Sequence, residues 1–356
     1  MAKELWKGNE AVAEAAIRAG CRYFFGYPIT PQNEIPEYLS RHLPEHGGCF
    51  VQAESEIAAI NMVYGAAGSG ARVMTSSSSP GISLKQEGVT YIACAELPAV
   101  IVNMMRGGPG LGNIAPSQAD YYQATRGGGN GDYRTVVLAP ATIQEAADFT
   151  QEAFDIADYY RTPVVVLADG MIGQMMEAIE WRKPKERALP PKDWATDGTR
   201  GKRPHNIINS LYIDAKDCAV QNRKLQEKYD RITENEVRYE EFMAQDAEIL
   251  FVAYGTTARI ARAAVLKLRK DGVKAGLFRP VTLWPFPEKA LRECAAHENV
   301  AAVIDVELSM GQMIDDVKIA LAGAKPVRFV GMGGGAIPAP QELVDEAYKA
   351  LGRCGK

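Results

Sequence analysis

Short, nearly uninterrupted apolar runs alternate with longer stretches of helical periodicity through the first half of the chain. The apolar runs are Arg22 to Phe25, Cys49 to Gln52, Arg72 to Thr75, Ala99 to Asn103, Thr135 to Leu138 and Pro163 to Ala168, all of strand length. Between most of them lie amphipathic or small-residue segments, such as Asn9 to Ala19, Glu56 to Ala67 and Ile143 to Tyr159, with Gly or Pro at the joints. Strands that are apolar on both faces need cover on both faces, so this alternation predicts a parallel sheet with helices on either side. The connection from Arg106 to Arg134 is Gly-rich and carries no convincing helical pattern. Loops of that length in a compact domain are usually functional or partner-bound.

The pattern changes after residue 177. Glu180 to Arg187 is charged and contains a proline, and Gln221 to Phe242 reads as an exposed charged helix that packs through Leu225, Tyr229 and Ile232. A second α/β unit opens at Glu248, with a buried strand Ile249 to Gly255, an amphipathic helix Thr256 to Lys270, and strands at Lys274 to Phe278, Val300 to Val306 and Val327 to Gly331. The expected architecture is therefore α/β, with two doubly wound parallel-sheet domains (1–177 and 247–356) joined by a charged linker with a helix (178–246).

Composition narrows the function classes. A chain of 356 residues with 47% hydrophobic and 24% charged residues is an ordinary globular protein with ample core. Its formal net charge of -4 gives no electrostatic case for nucleic acid or an anionic membrane. No apolar run approaches the ~20 residues of a membrane span. Met1 to Trp6 turns polar at once, so no signal peptide is visible, and a cytoplasmic protein is expected. The six cysteines, Cys21, Cys49, Cys94, Cys218, Cys294 and Cys354, are scattered without a Cys-x-x-Cys pair. They read as single thiols, with no metal or iron–sulfur site built by this chain alone.

Four strand ends carry candidate chemistry. Gly26-Tyr27-Pro28-Ile29-Thr30-Pro31-Gln32 follows an apolar strand, and its prolines bias Tyr27 and Thr30 toward extended backbone. A threonine hydroxyl is thereby held on a rigid loop at the C-terminal end of a strand, where open α/β sheets bind ligands. Glu54-Ser55-Glu56-Ile57-Ala58-Ala59, the serine run Thr75 to Gly81, and Asn103-Met104-Met105-Arg106-Gly107-Gly108-Pro109-Gly110 each follow a further strand-like run. Together they offer a hydroxyl, a carboxylate, small backbone loops and a guanidinium.

In this order and spacing the four stretches resemble the alpha chain of the 2-oxoacid:ferredoxin oxidoreductases, closest to the branched-chain (2-oxoisovalerate) type, over nearly the whole chain. The resemblance implies a thiamine-diphosphate enzyme that oxidatively decarboxylates a 2-oxoacid to acyl-CoA with reduction of ferredoxin. It also implies a pyrimidine-binding first domain and a transketolase C-terminal-like second one, the latter carried by Gly272 to Pro287. Thiamine catalysis removes the cofactor's C2 proton through its own aminopyrimidine, and a buried carboxylic acid beside ring nitrogen N1′ favours the tautomer that does so. Matched residue by residue, that acid falls on Glu56 rather than Glu54. Tyr27, Pro28, Ile29 and Thr30 are implied to bind the cofactor, with Thr30 also donating to substrate oxygen. Arg106 is implied to contact the 2-oxoacid carboxylate, for which a guanidinium is well matched, while Gly107 and Gly108 let the backbone approach substrate.

The Gly-Asp-Gly…Asn motif that binds diphosphate and Mg²⁺ in such enzymes has no convincing copy. Ala168-Asp169-Gly170 is nearest, but the next asparagine is Asn206. The implied complex thus has a beta subunit that completes the cofactor site with Mg²⁺ and a 4Fe-4S cluster. A gamma subunit, a possible ferredoxin-like delta subunit, and coenzyme A as co-substrate are implied too. Gly331-Met332-Gly333-Gly334-Gly335-Ala336 loosely matches a dinucleotide fingerprint, but Pro338 and Pro340 follow, and a tight turn before the final helix is the better reading. Two alternatives stand beside the main reading: the same chemistry on pyruvate or 2-oxoglutarate, and a non-catalytic scaffold subunit. Thr30, Glu56 and Arg106 together favour catalysis, and the neutral Gly110-Leu111-Gly112 loop suits an aliphatic substrate.

Overall fold

The computed structural model describes residues 3–353; Met1, Ala2 and Cys354, which entered the readings of the N-terminus and thiols, lie outside the described residues. The chain opens with β1 (Glu4–Lys7), α1 (Gly8–Arg18), β2 (Tyr23–Gly26), α2 (Glu34–His42), β3 (Cys49–Gln52) and α3 (Glu56–Gly68). It continues through β4 (Val73–Ser77), α4 (Ser79–Cys94), β5 (Ala99–Met105), α5 (Tyr121–Thr125), β6 (Val136–Leu138), α6 (Ile143–Tyr160), β7 (Pro163–Asp169), α7 (Gly170–Gln174) and β8 (Met176–Ile179). After the linker come α8 (Ala215–Asn235), β9 (Tyr239–Phe242), β10 (Ile249–Ala253), α9 (Gly255–Lys270), β11 (Ala275–Pro280) and β12 (Thr282–Trp284). The last elements are α10 (Glu288–Ala295), β13 (Ala302–Glu307), α11 (Met313–Leu321), β14 (Val327–Gly331) and α12 (Pro340–Ala350).

A seven-stranded sheet has the order β12-β6-β7-β5-β4-β2-β3, a five-stranded sheet the order β14-β13-β10-β11-β9, and β1 pairs with β8 separately. Both large sheets are parallel except for one antiparallel strand each, β12 against β6 and β9 against β11. Strands β4, β5 and β7 are buried along their whole length, which explains their near-continuous apolar sequence. The chain leaves β2 toward β3 on one side, then returns to β4 on the other. The gap between β2 and β4 is thus a topological switch point, the place where sheets of this kind open a ligand crevice at their C-terminal edge.

The two units share one core. Leu250, Val252, Tyr254 and Phe278 of the second unit belong to the same buried cluster as Val100, Val102 and Val166 of the first. Gln118 staples them through polar contacts: its amide donates to Tyr254 O at 2.8 Å and accepts from Leu308 N at 2.9 Å and Thr257 Oγ1 at 3.2 Å.

Two local readings change. The charged helix runs over Ala215–Asn235, capped by Asp214, and stops before Tyr239–Phe242, which the second sheet recruits as its edge. Leu225, Tyr229 and Ile232 do form its buried face. The Arg106–Arg134 connection contains α5, a five-residue helix held from outside. Tyr121 is fully buried and donates to Asp316 Oδ2 at 2.5 Å, and Tyr122 N donates to Gln312 Oε1 at 2.8 Å. Its stability is tertiary, so no local periodicity announces it. Among the described residues, no helix is long and apolar enough to cross a membrane.

Candidate functional site

Three loops meet at the C-terminal edge of the first sheet beside the switch point. The turn after β2 is fixed from below: Pro31 O accepts from Asn9 Nδ2 and Gln174 Nε2, both at 2.8 Å. Gln32 is fully buried, and its Oε1 accepts from Ser76 Oγ at 2.5 Å, tying this turn to β4. Tyr27 and Pro28 remain exposed, while Ile29 and Thr30 are half-buried.

Glu56 opens α3. Ser55 is the N-cap, its hydroxyl accepting from Ala58 N at 3.1 Å, and Glu56 is 6% exposed although no ion pair among the described residues holds it. Its neighbour is α4, which approaches unusually closely through two glycines. A β-carbon at Gly81 would lie 2.1 Å from Ser77 Oγ and 2.6 Å from Glu56 Oε1, and one at Gly88 would lie 2.5 Å from Ile60. Positions 81, 85 and 88 share one helical face, so Lys85 is carried in against α3 as well. It is fully buried, with Nζ donating to Thr75 Oγ1 at 2.5 Å and Ser76 O at 3.1 Å. Burial pushes its ammonium down to about 7, opposed by the charge of Glu56. The sequence reading missed Lys85, because a lone lysine on a helix normally marks a solvated face.

Arg106 leaves β5 at the other side of the crevice and is 9% exposed. Its Nη1 donates to Thr30 O and its Nη2 to Leu111 O, both at 3.0 Å, so the structure brings the predicted hydroxyl-bearing turn and the guanidinium together. Its backbone N donates to Ser79 Oγ at 3.0 Å, and Ser79 in turn donates to Asp120 Oδ2 at 2.6 Å. Burial raises the Asp120 carboxyl, against hydrogen bonds from Ser79 and Asn103 that lower it. Gly107 faces Asn113, whose Oδ1 would lie 2.6 Å from a β-carbon there, whereas Gly108 faces open space. The glycine turn of the second unit closes on this same loop. Asn113 Nδ2 donates to Gly334 O at 2.8 Å, and Gly335, at φ +93°, leaves only 2.4 Å between a β-carbon and Ala115 Cβ. The run that mimics a dinucleotide fingerprint is thus a clamp on the loop after Arg106.

Buried polar atoms almost always have partners, yet several here have none among the described residues. Gln32 Nε2, Asn33 Oδ1, Ser77 Oγ, Ser78 Oγ, Asn103 Oδ1 and Arg106 Nε all lie on or beside the ends of β2, β4 and β5. Donors and acceptors left open at a switch point, next to a buried carboxylate, suit a polar heteroaromatic ligand. They therefore fit the pyrimidine side of a thiamine cofactor. Asp169, the nearest match to a diphosphate motif, is committed elsewhere. It caps α7 by accepting from Met171 N at 3.0 Å and Ile172 N at 3.3 Å, and it accepts from Thr256 Oγ1 at 2.9 Å.

Comparison with known proteins agrees with this geometry. The family model "Pyruvate flavodoxin/ferredoxin oxidoreductase, thiamine diP-bdg" matches residues 14–243, and "Pyruvate:ferredoxin oxidoreductase core domain II" matches 247–343. The chain belongs to the 2-oxoacid:ferredoxin oxidoreductase family. Among relatives of this oxidoreductase chain, the ketoisovalerate oxidoreductase subunit VorB of Methanothermobacter marburgensis is 52% identical over 352 residues, covering 99% of each chain. The 2-oxoglutarate synthase subunit KorA of Methanothermobacter thermautotrophicus is 39% identical, covering 96% of this chain and 97% of its own. A solved 2-oxoglutarate:ferredoxin oxidoreductase from Magnetococcus marinus, with 2-oxoglutarate, coenzyme A and succinyl-CoA bound, superposes with a TM-score of 0.88 at 26% identity. The match covers 98% of this oxidoreductase chain and 65% of that one. A split-gene transketolase shares the fold, with a TM-score of 0.61 at 15% identity.

Proposed function

We propose that this chain is the catalytic alpha-type subunit of an enzyme that oxidatively decarboxylates a branched-chain 2-oxoacid to its acyl-CoA, passing electrons to ferredoxin. The observation that carries the catalytic reading is the buried carboxylate of Glu56, set against Gly81 in a crevice rimmed by polar atoms that still need partners. The substrate reading rests on similarity: two relatives named for ketoisovalerate are 50–52% identical, and several named for 2-oxoglutarate are 32–39% identical.

When bound, thiamine diphosphate supplies a carbon nucleophile and an aminopyrimidine that accepts its proton. Glu56 holds or releases a proton at its carboxyl against the pyrimidine nitrogen, and its burial keeps that hydrogen bond strong. Tyr27, Pro28, Ile29 and Thr30 wall the cofactor, and the Thr30 hydroxyl donates to substrate oxygen. Arg106 still has Nε and unused Nη hydrogens with which to receive the 2-oxoacid carboxylate. Gly108 leaves the approach open. The loop carrying Leu111 offers no further cation for a second carboxylate, which favours an aliphatic substrate.

With Asp169 committed to α7 and Thr256, the diphosphate and Mg²⁺ fall to a beta subunit, which also brings a 4Fe-4S cluster. A gamma subunit completes the complex, a ferredoxin-like delta subunit is its further member, and coenzyme A is the acyl acceptor. Ile57, Leu111, Ile114 and Met310 are 49%, 80%, 64% and 80% exposed around the crevice, a cost that a covering subunit removes. A cytoplasmic setting fits the free thiols of the described cysteines. The test is substrate profiling of the chain co-purified with its partners, using ferredoxin and coenzyme A. The branched-chain 2-oxoacid should have the highest kcat/KM; a preference for 2-oxoglutarate or pyruvate would refute the substrate assignment.

A further inference from the structure

Glu56 lies against the first turn of α4, where its carboxylate and Ser77 Oγ crowd position 81. The face of α4 turned toward α3 reads Gly81, Lys85, Gly88; the two glycines let Glu56 and Ile60 of α3 come close, and Lys85 stands one turn from each glycine. Lys85 is fully buried. From β4 it meets the Thr75 hydroxyl and the Ser76 carbonyl; from α3 it meets the field of Glu56, the one titratable group acting on it. Thr75 relays the contact by donating to Phe25 O at 2.6 Å, at the base of the Tyr27–Thr30 turn. A buried ammonium is costly without a counter-charge, and a hydroxyl and a carbonyl could be satisfied equally well by a neutral side chain. A fold that only needed to fill this space would use an apolar residue.

We propose that Lys85 is a positioning residue whose positive charge sets the ionisation of Glu56 from beneath the cofactor site. The inference rests on the assignment of Glu56 as the cofactor's acid. Charge and carboxylate form one buried couple: the ammonium favours the anionic carboxylate, and the carboxylate favours the ammonium. Removing the positive charge makes the anion harder to form, so any step that needs ionised Glu56 shifts to higher pH.

The experiment uses the co-purified complex loaded with thiamine diphosphate and follows exchange of the cofactor's C2 proton for deuterium across pH, which needs neither substrate nor electron acceptor. Lys85→Gln keeps a donor toward Thr75 and Ser76 but no charge, and Lys85→Met serves if Lys85→Gln does not assemble. The expected result is an acidic limb displaced upward by about one pH unit or more, with cofactor occupancy retained. Thermal melts of Glu56→Gln, Lys85→Gln and the double variant should be non-additive, because the lysine loses its partner in the first. An unchanged limb with additive melts would overturn the proposal, as would failure of both Lys85 variants to assemble, which assigns Lys85 to the fold alone. Glu56→Gln separates the two ideas: near-wild-type exchange in that variant removes the Glu56 assignment itself, whereas lost exchange with an unmoved Lys85→Gln profile removes only the role of Lys85.

Discussion

A β-carbon at position 81 would meet Ser77 Oγ and Glu56 Oε1 before anything else. Alanine is intrinsically better in a helix by about 1 kcal/mol, but overpacking a tight contact costs about 1–3 kcal/mol, so Gly81→Ala should lower the melting temperature only modestly. Displacing Glu56 should nevertheless lower kcat ~10–100-fold; steady-state rates beside a melt would expose the split, and equal activity would mean that Glu56 tolerates displacement. Arg106→Lys keeps the charge but loses the fork that reaches Thr30 O and Leu111 O. KM for the 2-oxoacid should rise about tenfold or more, with cofactor binding less affected. An unchanged KM would place Arg106 outside the substrate site. Asp305, on β13, is buried, and no N–H or O–H donor among the described residues reaches either carboxylate oxygen. Burial and the neighbouring Glu307 charge raise its carboxyl well above the usual range. The native state therefore keeps a proton that the unfolded chain releases above pH ~4, and stability falls as pH rises toward the raised native value. Asp305→Asn lacks that slope. Its melting temperature relative to wild type should climb between pH ~4 and 7; a constant offset would contradict the buried neutral acid.

Elements show what a sequence can announce. Strands β4, β5 and β7 are buried on both faces and announce themselves as apolar runs. By contrast β9, Tyr-Glu-Glu-Phe, and the three-residue β12 are antiparallel edges whose pairing is set by the sheet they join. The same distinction divides the site. Thr30, Glu56 and Arg106 stand in recognisable turns after strands, whereas Lys85 and Asp120 acquire meaning only once α4 and the loop before α5 are packed. Asp169 shows the hazard of a partial motif. If it caps α7 and grips Thr256 of α9, Asp169→Ala should cost ~2–3 kcal/mol, seen as an earlier unfolding transition. A fully stable variant that has lost only its cofactor would instead make Asp169 a diphosphate-side ligand.

At the scale of the whole molecule, the proposed half-site would make the protein a dependent one. Purified by itself, the chain should show no iron absorbance, no tight thiamine diphosphate binding and no oxidoreductase activity, and co-expression with its partner subunits should restore all three. Isothermal titration of the isolated chain with thiamine diphosphate and Mg²⁺ reads this directly, and micromolar binding without a partner would contradict it. The sheet order carries a different consequence, for synthesis. Strand β12 covers the outer edge of β6, yet it leaves the ribosome more than a hundred residues after β7 has finished. At roughly 5–20 residues per second, the nascent first sheet waits several seconds with that border bare, while its other strands can already pair. An unpaired border of this kind recruits foreign strands, so the newborn chain is most vulnerable to aggregation in that interval, and a ribosome stalled within the linker would release a product with the border still open.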